Sequence, residues 1–150
     1  LFSIVLAIFA VGGVIFARYR DLNIALPMIF TGLSEVVIIL GFAALIRWNL
    51  DLAAIAGIIA AVGTGVDDQI VITDEVLNRG SAEDSWIERM KRAFFIIFAA
   101  YFTMIVAMLP LWFIGAGVLK GFALTTIVGV TIGVFITRPA FAKIIETLKA

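Results

Sequence analysis

Residues 63–75 read GTGVDDQIVITDE and place two adjacent carboxylates, Asp67 and Asp68, inside a run over 52–77 that is otherwise apolar enough to cross a bilayer. A charged side chain at the centre of a membrane helix costs about 2.5 to 3.5 kcal/mol on insertion scales. Such a pair persists only where the carboxylates have partners or a task. We therefore interpret Asp67 and Asp68 as functional candidates on a membrane-spanning helix.

The composition predicts a membrane protein. Hydrophobic residues make up 63% of the chain, charged residues 15%, and the mean hydropathy is +1.18. The chain contains no Cys and no His, which argues against disulfides, thiol chemistry and zinc or haem sites. We expect no enzymatic activity, no metal and no cofactor, with protons as the coupling ion. Zero net charge and the lack of a long basic block predict no nucleic-acid partner.

Charged interruptions divide the sequence into five predicted membrane crossings, which together form an all-α polytopic bundle. The crossings cover residues 1–17, 24–46, 52–77, 93–114 and 118–138, and the first needs a few upstream residues to span roughly 30 Å of hydrocarbon. Ser81 and Asp84 resemble a capping box and predict a short interfacial helix over about 82–92. Pro139 is expected to end the fifth crossing before a short amphipathic tail.

The distribution of Lys and Arg predicts the orientation, because these residues accumulate on the cytoplasmic side. Two of the eleven, Arg47 and Lys120, fall on one side of the predicted bundle. Nine fall on the other: Arg18, Arg20, Arg79, Arg89, Lys91, Arg92, Arg138, Lys143 and Lys149. We expect the nine-residue side to be cytoplasmic. Five crossings then place Leu1 outside the cell and Ala150 inside, with an internal start to the fragment at Leu1.

Polar residues on three crossings are predicted to lie at one depth. Counted from the cytoplasmic helix ends, Glu35, Asp67 and Thr103 lie roughly 15 to 17 Å deep. Gln69 and Thr131 lie within a turn or two of that level. Polar groups in lipid face one another or a water-filled gap. We therefore predict a compact bundle with a polar seam, in which the acids and Thr103 couple protons and the other two residues support them.

Small residues indicate which helix faces pack closely. One ridge, on the third crossing, consists of Ala53, Gly57, Ala61 and Gly65. A second, on the fifth crossing, consists of Thr125, Gly129, Gly133 and Thr137. Ordinary helix packing is an alternative explanation for these glycines. Beside Asp67, however, Gly63 and Gly65 allow a backbone adjustment that exposes a carbonyl group or admits water.

The two aspartates point about 100° apart on a helix, so they cannot face each other. We expect one carboxylate to face the polar seam and the other to reach a neighbouring helix or chain. A desolvated carboxylate binds or releases a proton according to its access to water. A proton-dependent change in helix packing is therefore the favoured function. Structural acids held by threonine and backbone groups remain the alternative for Asp67, Asp68 and Glu35.

An intramembrane aspartyl protease is a competing interpretation. Residues 63–65 followed by acids are similar to the Gly-x-Gly-Asp signature of that class, whose two aspartates on different helices activate a water. Here Val66 intervenes, and the Tyr-Asp signature of a preceding helix is absent, since neither tyrosine is followed by aspartate. We therefore expect no catalytic residue.

Two stretches resemble a known family. Residues 52–75, which end in GxxVDDQIVITDE, resemble the fourth transmembrane segment of the SecD family of protein-export membrane proteins. Residues 115–129, GAGVLKGFALTTIVG, resemble that family's link into the sixth segment, and its motif positions here are Gly115, Gly117, Lys120 and Gly121. Residues 91–93 and Thr103 also fall at positions similar to the family's. The similarity spans about residues 30–140, and its Asp-Asp-Gln variant resembles archaeal members.

The resemblance implies segments two to six of such a protein, with the first segment and a large extracytoplasmic domain missing from the fragment. It implies membership of the resistance-nodulation-division superfamily, use of the proton-motive force, and a cytoplasmic-membrane location. The implied partners are SecF, the SecY channel complex, a translocating preprotein and membrane lipids. Asp67 falls at the family's key acid in SecD, and Asp68 at the one in SecF. The arginine of the fifth SecF segment would fall near Ile96, so we expect no basic partner for the acids within this chain.

Two other functions stay open at this point. One is a lipid or drug exporter of the same superfamily, against which the link over residues 120–123 argues. The other is a scaffold subunit without proton coupling.

Overall fold

The computed structural model describes residues 2–77 and 85–149, and within these ranges every regular element is helical. The elements are α1 (Phe2–Tyr19), α2 (Leu22–Leu45), α3 (Leu52–Leu77), α4 (Trp86–Phe113), α5 (Val118–Ile132), a π-helical segment (Gly133–Thr137) and α6 (Arg138–Lys149). Five helical stretches among the described residues are long and apolar enough to cross a membrane. The predicted all-α bundle of five spans is therefore confirmed.

The central helix is α3, which contacts α1, α2, α4, α5 and α6 and has its most extensive interface with α5. Gly57 lies against Thr125, and Gly129 lies against Ala61, so closely that a Cβ atom on either glycine would overlap its neighbour. The Thr125 hydroxyl also lies 3.0 Å from the carbonyl oxygen of Ala54. The prediction that both ridges mark closely packed faces is confirmed, and the structure adds that they pack against each other, because small side chains let the backbones approach.

The first two turns of α4 occupy residues that were predicted to form a separate interfacial helix. Ser85 is the N-cap of α4 and forms a capping box with Glu88. Because this box caps one helix that continues without a break into the membrane span, residues 86–92 form the first turns of α4, and the prediction of a separate helix is wrong for them. The capping pair predicted at Ser81 and Asp84 lies outside the described residues.

The fifth span continues through Pro139, so the prediction that this proline ends it is wrong. Residues 133–137 are π-helical, and the backbone N–H of Arg138 donates to the carbonyl of Gly133. A proline has no N–H to donate, and the wider π-helical turn before it accommodates the missing bond. The expected amphipathic tail corresponds to α6, whose apolar face inserts Phe141 fully into the core.

Two apolar clusters make up the core along the bundle axis. One includes Met28, Ile72 and Phe141. The other includes Ile39, Ile58 and Val130. Along α3 and the fifth span, the polar residues of the next section fall among members of the first cluster, and along α2 they fall between the two clusters.

Candidate functional site

A buried guanidinium joins two carboxylates from different helices. Arg138, at the start of α6, donates from Nε to Asp68 Oδ2 of α3 at 3.1 Å. Its Nη1 donates to Glu35 Oε2 of α2. The exposed fractions of the three side chains are 0% for Arg138, 9% for Asp68 and 1% for Glu35. This Asp68–Arg138–Glu35 network therefore ties three spans together in the interior of the bundle.

Two glycines make room for the guanidinium. A Cβ atom on Gly65 would lie 2.7 Å from Arg138 Nη2 and 3.1 Å from Glu35 Oε2. A Cβ atom on Gly133 would overlap the same guanidinium. Gly65 was predicted to allow a backbone adjustment, but α3 stays helical there. The space that both glycines leave is filled by the Arg138 side chain.

Thr137 completes the network next to Arg138. Its hydroxyl lies 3.0 Å from Glu35 Oε2, to which it donates, and it accepts from Arg138 Nη1 at 2.7 Å. The π-helical segment ends at these residues and lets two consecutive side chains reach the same carboxylate. Irregular π-helical turns inside α-helices occur frequently at functional sites.

The charges of the network do not balance. With all groups ionised, two carboxylates share one guanidinium, and the net charge is negative. Among the described residues, Glu35 Oε1, Arg138 Nη2 and both amide atoms of Gln69 are buried polar atoms without a hydrogen-bond partner. Gln69 lies one helical turn beyond Gly65, on the same face of α3. A proton or water that reached this region would therefore find unused donors and acceptors.

The two aspartates differ in their surroundings. Asp68 faces the interior, whereas Asp67 is exposed on the outer surface of α3. The prediction that only one carboxylate faces the interior is confirmed, and that carboxylate is Asp68. The adjacent Gly63 is also open, because a Cβ atom there would meet no atom within 4 Å.

The two predicted hydroxyl residues do not join the network. Thr103 is exposed, and its hydroxyl donates to the carbonyl of Ala99 one turn earlier in α4 at 2.9 Å. Thr131 is partly buried, and its hydroxyl lies 3.3 Å from the Tyr101 hydroxyl. The expectation that Thr103 shares the polar seam was wrong, because depth along a helix does not fix the direction of a side chain.

The residue that sequence reasoning missed is Arg138. It was assigned to the cytoplasmic loops, and the acids were expected to have no basic partner in the chain. The structure corrects both points. A signal was present in the apolar residues Phe141, Ala142 and Ile145, which continue the span beyond Arg138 and place it within the helix.

The glycine-rich link lies at the opposite end of α3 from the ion network. Gly117 adopts a φ of 43°, which suits glycine, and precedes α5. A Cβ atom on Gly121 would lie 3.2 Å from Asp51 Oδ1, and Asp51 accepts the Ala54 N–H at 2.7 Å. Lys120 is exposed. These residues shape a close helix contact and form no polar network with the acids.

No metal site is built from the described residues, since no three acidic, His or Cys side chains are grouped there. The cation of the Asp68–Arg138–Glu35 network is the guanidinium of Arg138. Its residues suit proton exchange, in which a carboxylate gains or loses a charge next to a fixed positive group.

Comparisons with known proteins identify the family of this chain. A family model described as "Protein export membrane protein SecD/SecF, C-terminal" matches residues 1–149. The protein-export membrane protein SecD of Methanocaldococcus jannaschii is 62% identical over 146 residues, which cover 97% of this chain and 36% of that protein. SecD of Methanothermobacter thermautotrophicus is 56% identical, with 95% and 37% covered. The protein translocase subunit SecD of Aquifex aeolicus is 34% identical, with 93% and 28% covered.

The higher identities are with archaeal proteins, in agreement with the archaeal-type resemblance. The chain spans little more than a third of the length of the first two relatives. Because the family model matches almost every residue of the chain, this chain belongs to the SecD/SecF family of protein-export membrane proteins.

Proposed function

We propose that this chain is the membrane-embedded part of a SecD-type subunit that assists protein export across the cytoplasmic membrane, and that the Asp68–Arg138–Glu35 network couples export to the proton-motive force. The observation that carries the proposal is the buried Arg138, which two carboxylates from two other helices share. Ionisable groups inside a membrane span are costly, and they typically mark proton or ion pathways.

The proposed switch is the protonation of Asp68. A protonated Asp68 is neutral and no longer forms an ion pair with the guanidinium. The interaction between α3 and α6 therefore weakens, while the ion pair between Glu35 and Arg138 remains. Loss of the proton restores the ion pair. Asp68 is the preferred proton acceptor because its side chain is the more exposed of the two carboxylates, and because Glu35 receives bonds from both Arg138 and Thr137. A local charge change thus biases two packings of the same helices.

The proposed partner at Asp67 is SecF. A carboxylate exposed on a membrane span is expensive in lipid, and cover by a second helical subunit or access to water removes that cost. We propose that SecF packs on this surface of α3 within the resistance-nodulation-division superfamily arrangement. The SecY channel complex and its translocating preprotein are the further proposed partners.

The proposed orientation places the N-terminus of this chain outside the cell and its C-terminus in the cytoplasm. With Arg138 removed from the loops, eight basic residues lie on the proposed cytoplasmic side and two on the other. The difference remains large enough for orientation by positive charge.

The test compares Asp68→Asn with Asp67→Asn in the full-length protein. Export of a reporter preprotein is measured in inverted membrane vesicles, with and without a protonophore, and SecF retention is measured by co-purification. We expect Asp68→Asn to retain SecF and to lose the stimulation of export by the proton-motive force. We expect Asp67→Asn to reduce SecF retention.

Glu146→Gln is the matched control, because it removes a carboxylate from α6 at a surface position paired with Lys143. It should leave both measurements unchanged. If Asp68→Asn exported the preprotein at the normal rate and a protonophore still lowered that rate, the result would contradict proton coupling by this network. It would favour a scaffold subunit.

A further inference from the structure

A shallow, largely open cavity of about 410 Å³ lies where α3 ends and α4 begins. Its lining residues are Glu75, Lys91, Arg92, Phe95 and Ile96. The cavity opens on the outer surface of the bundle and is separate from the Asp68–Arg138–Glu35 network. None of the proposed coupling residues lines it.

The cavity has an excess of positive charge. Arg92 Nε lies 3.5 Å from Glu75 Oε2, so the acid among the described lining residues is paired with one of the two cations. Lys91 is exposed and has no ion-pair partner among the described residues. This end of the cavity therefore favours an anion.

The rest of the cavity is apolar. Phe95 and Ile96 are 76% and 49% exposed, one helical turn further along α4 than the two cations. On the opposite side of the helix, Ala93 and Ile97 are fully packed against the core. The lining thus changes from cationic to apolar as α4 enters its membrane span.

We propose that this cavity binds an anionic phospholipid, with its phosphate between Lys91 and Arg92 and an acyl chain along Phe95 and Ile96. A phospholipid has the same order of groups along the membrane normal, a phosphate at the surface and hydrocarbon below. Basic pockets between spans at a membrane face recognise anionic headgroups in this way. An acidic protein segment would complement the two cations, but it would not by itself explain why the lining becomes apolar one helical turn further along α4.

The proposal can be tested with the full-length protein in phosphatidylcholine nanodiscs titrated with fluorescent phosphatidylglycerol. We expect Lys91→Gln combined with Arg92→Gln to weaken binding roughly thirtyfold, because each basic residue near a membrane surface contributes about one factor of five. Glu75→Gln should tighten binding, because it removes the competing carboxylate. Phe95→Ala should weaken binding with both cations present.

Arg20→Gln combined with Lys143→Gln is the matched control, because it removes the same charge at exposed positions away from the cavity. Equal weakening in this control, or equal binding of phosphatidylcholine, would overturn the proposal. Thermal unfolding measurements on every variant distinguish weaker lipid binding from a loss of folding stability.

Discussion

Arg138 Nε lies 3.1 Å from Asp68 Oδ2, although the two residues are 70 positions apart in the chain. The pair connects the fifth span to α3 in the interior of the bundle. Both groups are removed from water, so the energy of each depends on the presence of the other. Changes to one partner are therefore expected to differ strongly from changes to both.

Replacement of the cation should destabilise the bundle. In Arg138→Leu, two carboxylates remain buried without their partner, and breaking a buried pair in this way costs about 3 to 5 kcal/mol. The thermal unfolding midpoint of the full-length protein in nanodiscs should fall. Addition of Glu35→Gln and Asp68→Asn to the same variant should recover most of the loss, and a single variant as stable as the parent would contradict the buried ion pair.

The two glycines near the aspartates should respond differently to a methyl group. Gly65→Ala places a Cβ atom against Arg138 Nη2 and should cost about 1 to 3 kcal/mol as an overpacked site. Gly63→Ala enters open space on the same helix and should not destabilise the protein. Denaturant titrations of both variants provide the comparison. If Gly65→Ala were as stable as Gly63→Ala, the guanidinium of Arg138 would not lie against Gly65.

Thr103, which was predicted at the depth of the acids, and Thr137, which bonds Glu35 in the structure, should also differ. Thr137→Val removes the hydroxyl that donates to Glu35 Oε2 in the interior, and an unsatisfied buried group costs about 1 to 3 kcal/mol. Thr103→Val removes a hydroxyl that bonds only within α4 at the outer surface. We expect a lower unfolding temperature for Thr137→Val alone. A larger effect of Thr103→Val would restore Thr103 to the seam.

The orientation can be measured by labelling single cysteines, since these 150 residues contain none. Lys120→Cys and Lys143→Cys are both exposed positions on opposite sides of the proposed bundle. In intact cells, a membrane-impermeant maleimide should label the full-length protein at position 120 and not at 143. Inverted vesicles should give the opposite pattern. The reverse result would overturn the proposed cytoplasmic C-terminus.

The parts of the fold that were predictable from sequence depend on local patterns. Helix lengths follow from apolar runs that must satisfy their backbone bonds within lipid. The ridges ending at Gly65 and Thr137 identified the faces that pack closely, although not that they pack against each other. The burial of one aspartate followed from helical geometry alone. These features need only the spacing of residues along one helix.

The parts that were not predictable depend on rotation and register between helices. Thr103 has the right depth but the wrong direction. Arg138 was assigned to a loop because Arg-Pro is typical of a helix end, and the π-helical turn that keeps the span intact has no clear sequence pattern. The pairing of Arg138 with Asp68 then follows from tertiary packing, which single-helix patterns do not contain.

The ion network is buried in the apolar interior of the bundle, and this burial makes it insensitive to dissolved salt. Mobile ions screen charges over about 8 Å at physiological ionic strength, but only where solvent reaches them. The Arg18–Asp74 pair at 2.8 Å has half-exposed side chains and should weaken as ionic strength rises. At high ionic strength the contact between α1 and α3 should therefore weaken, whereas the ion pairs of Arg138 should keep their strength.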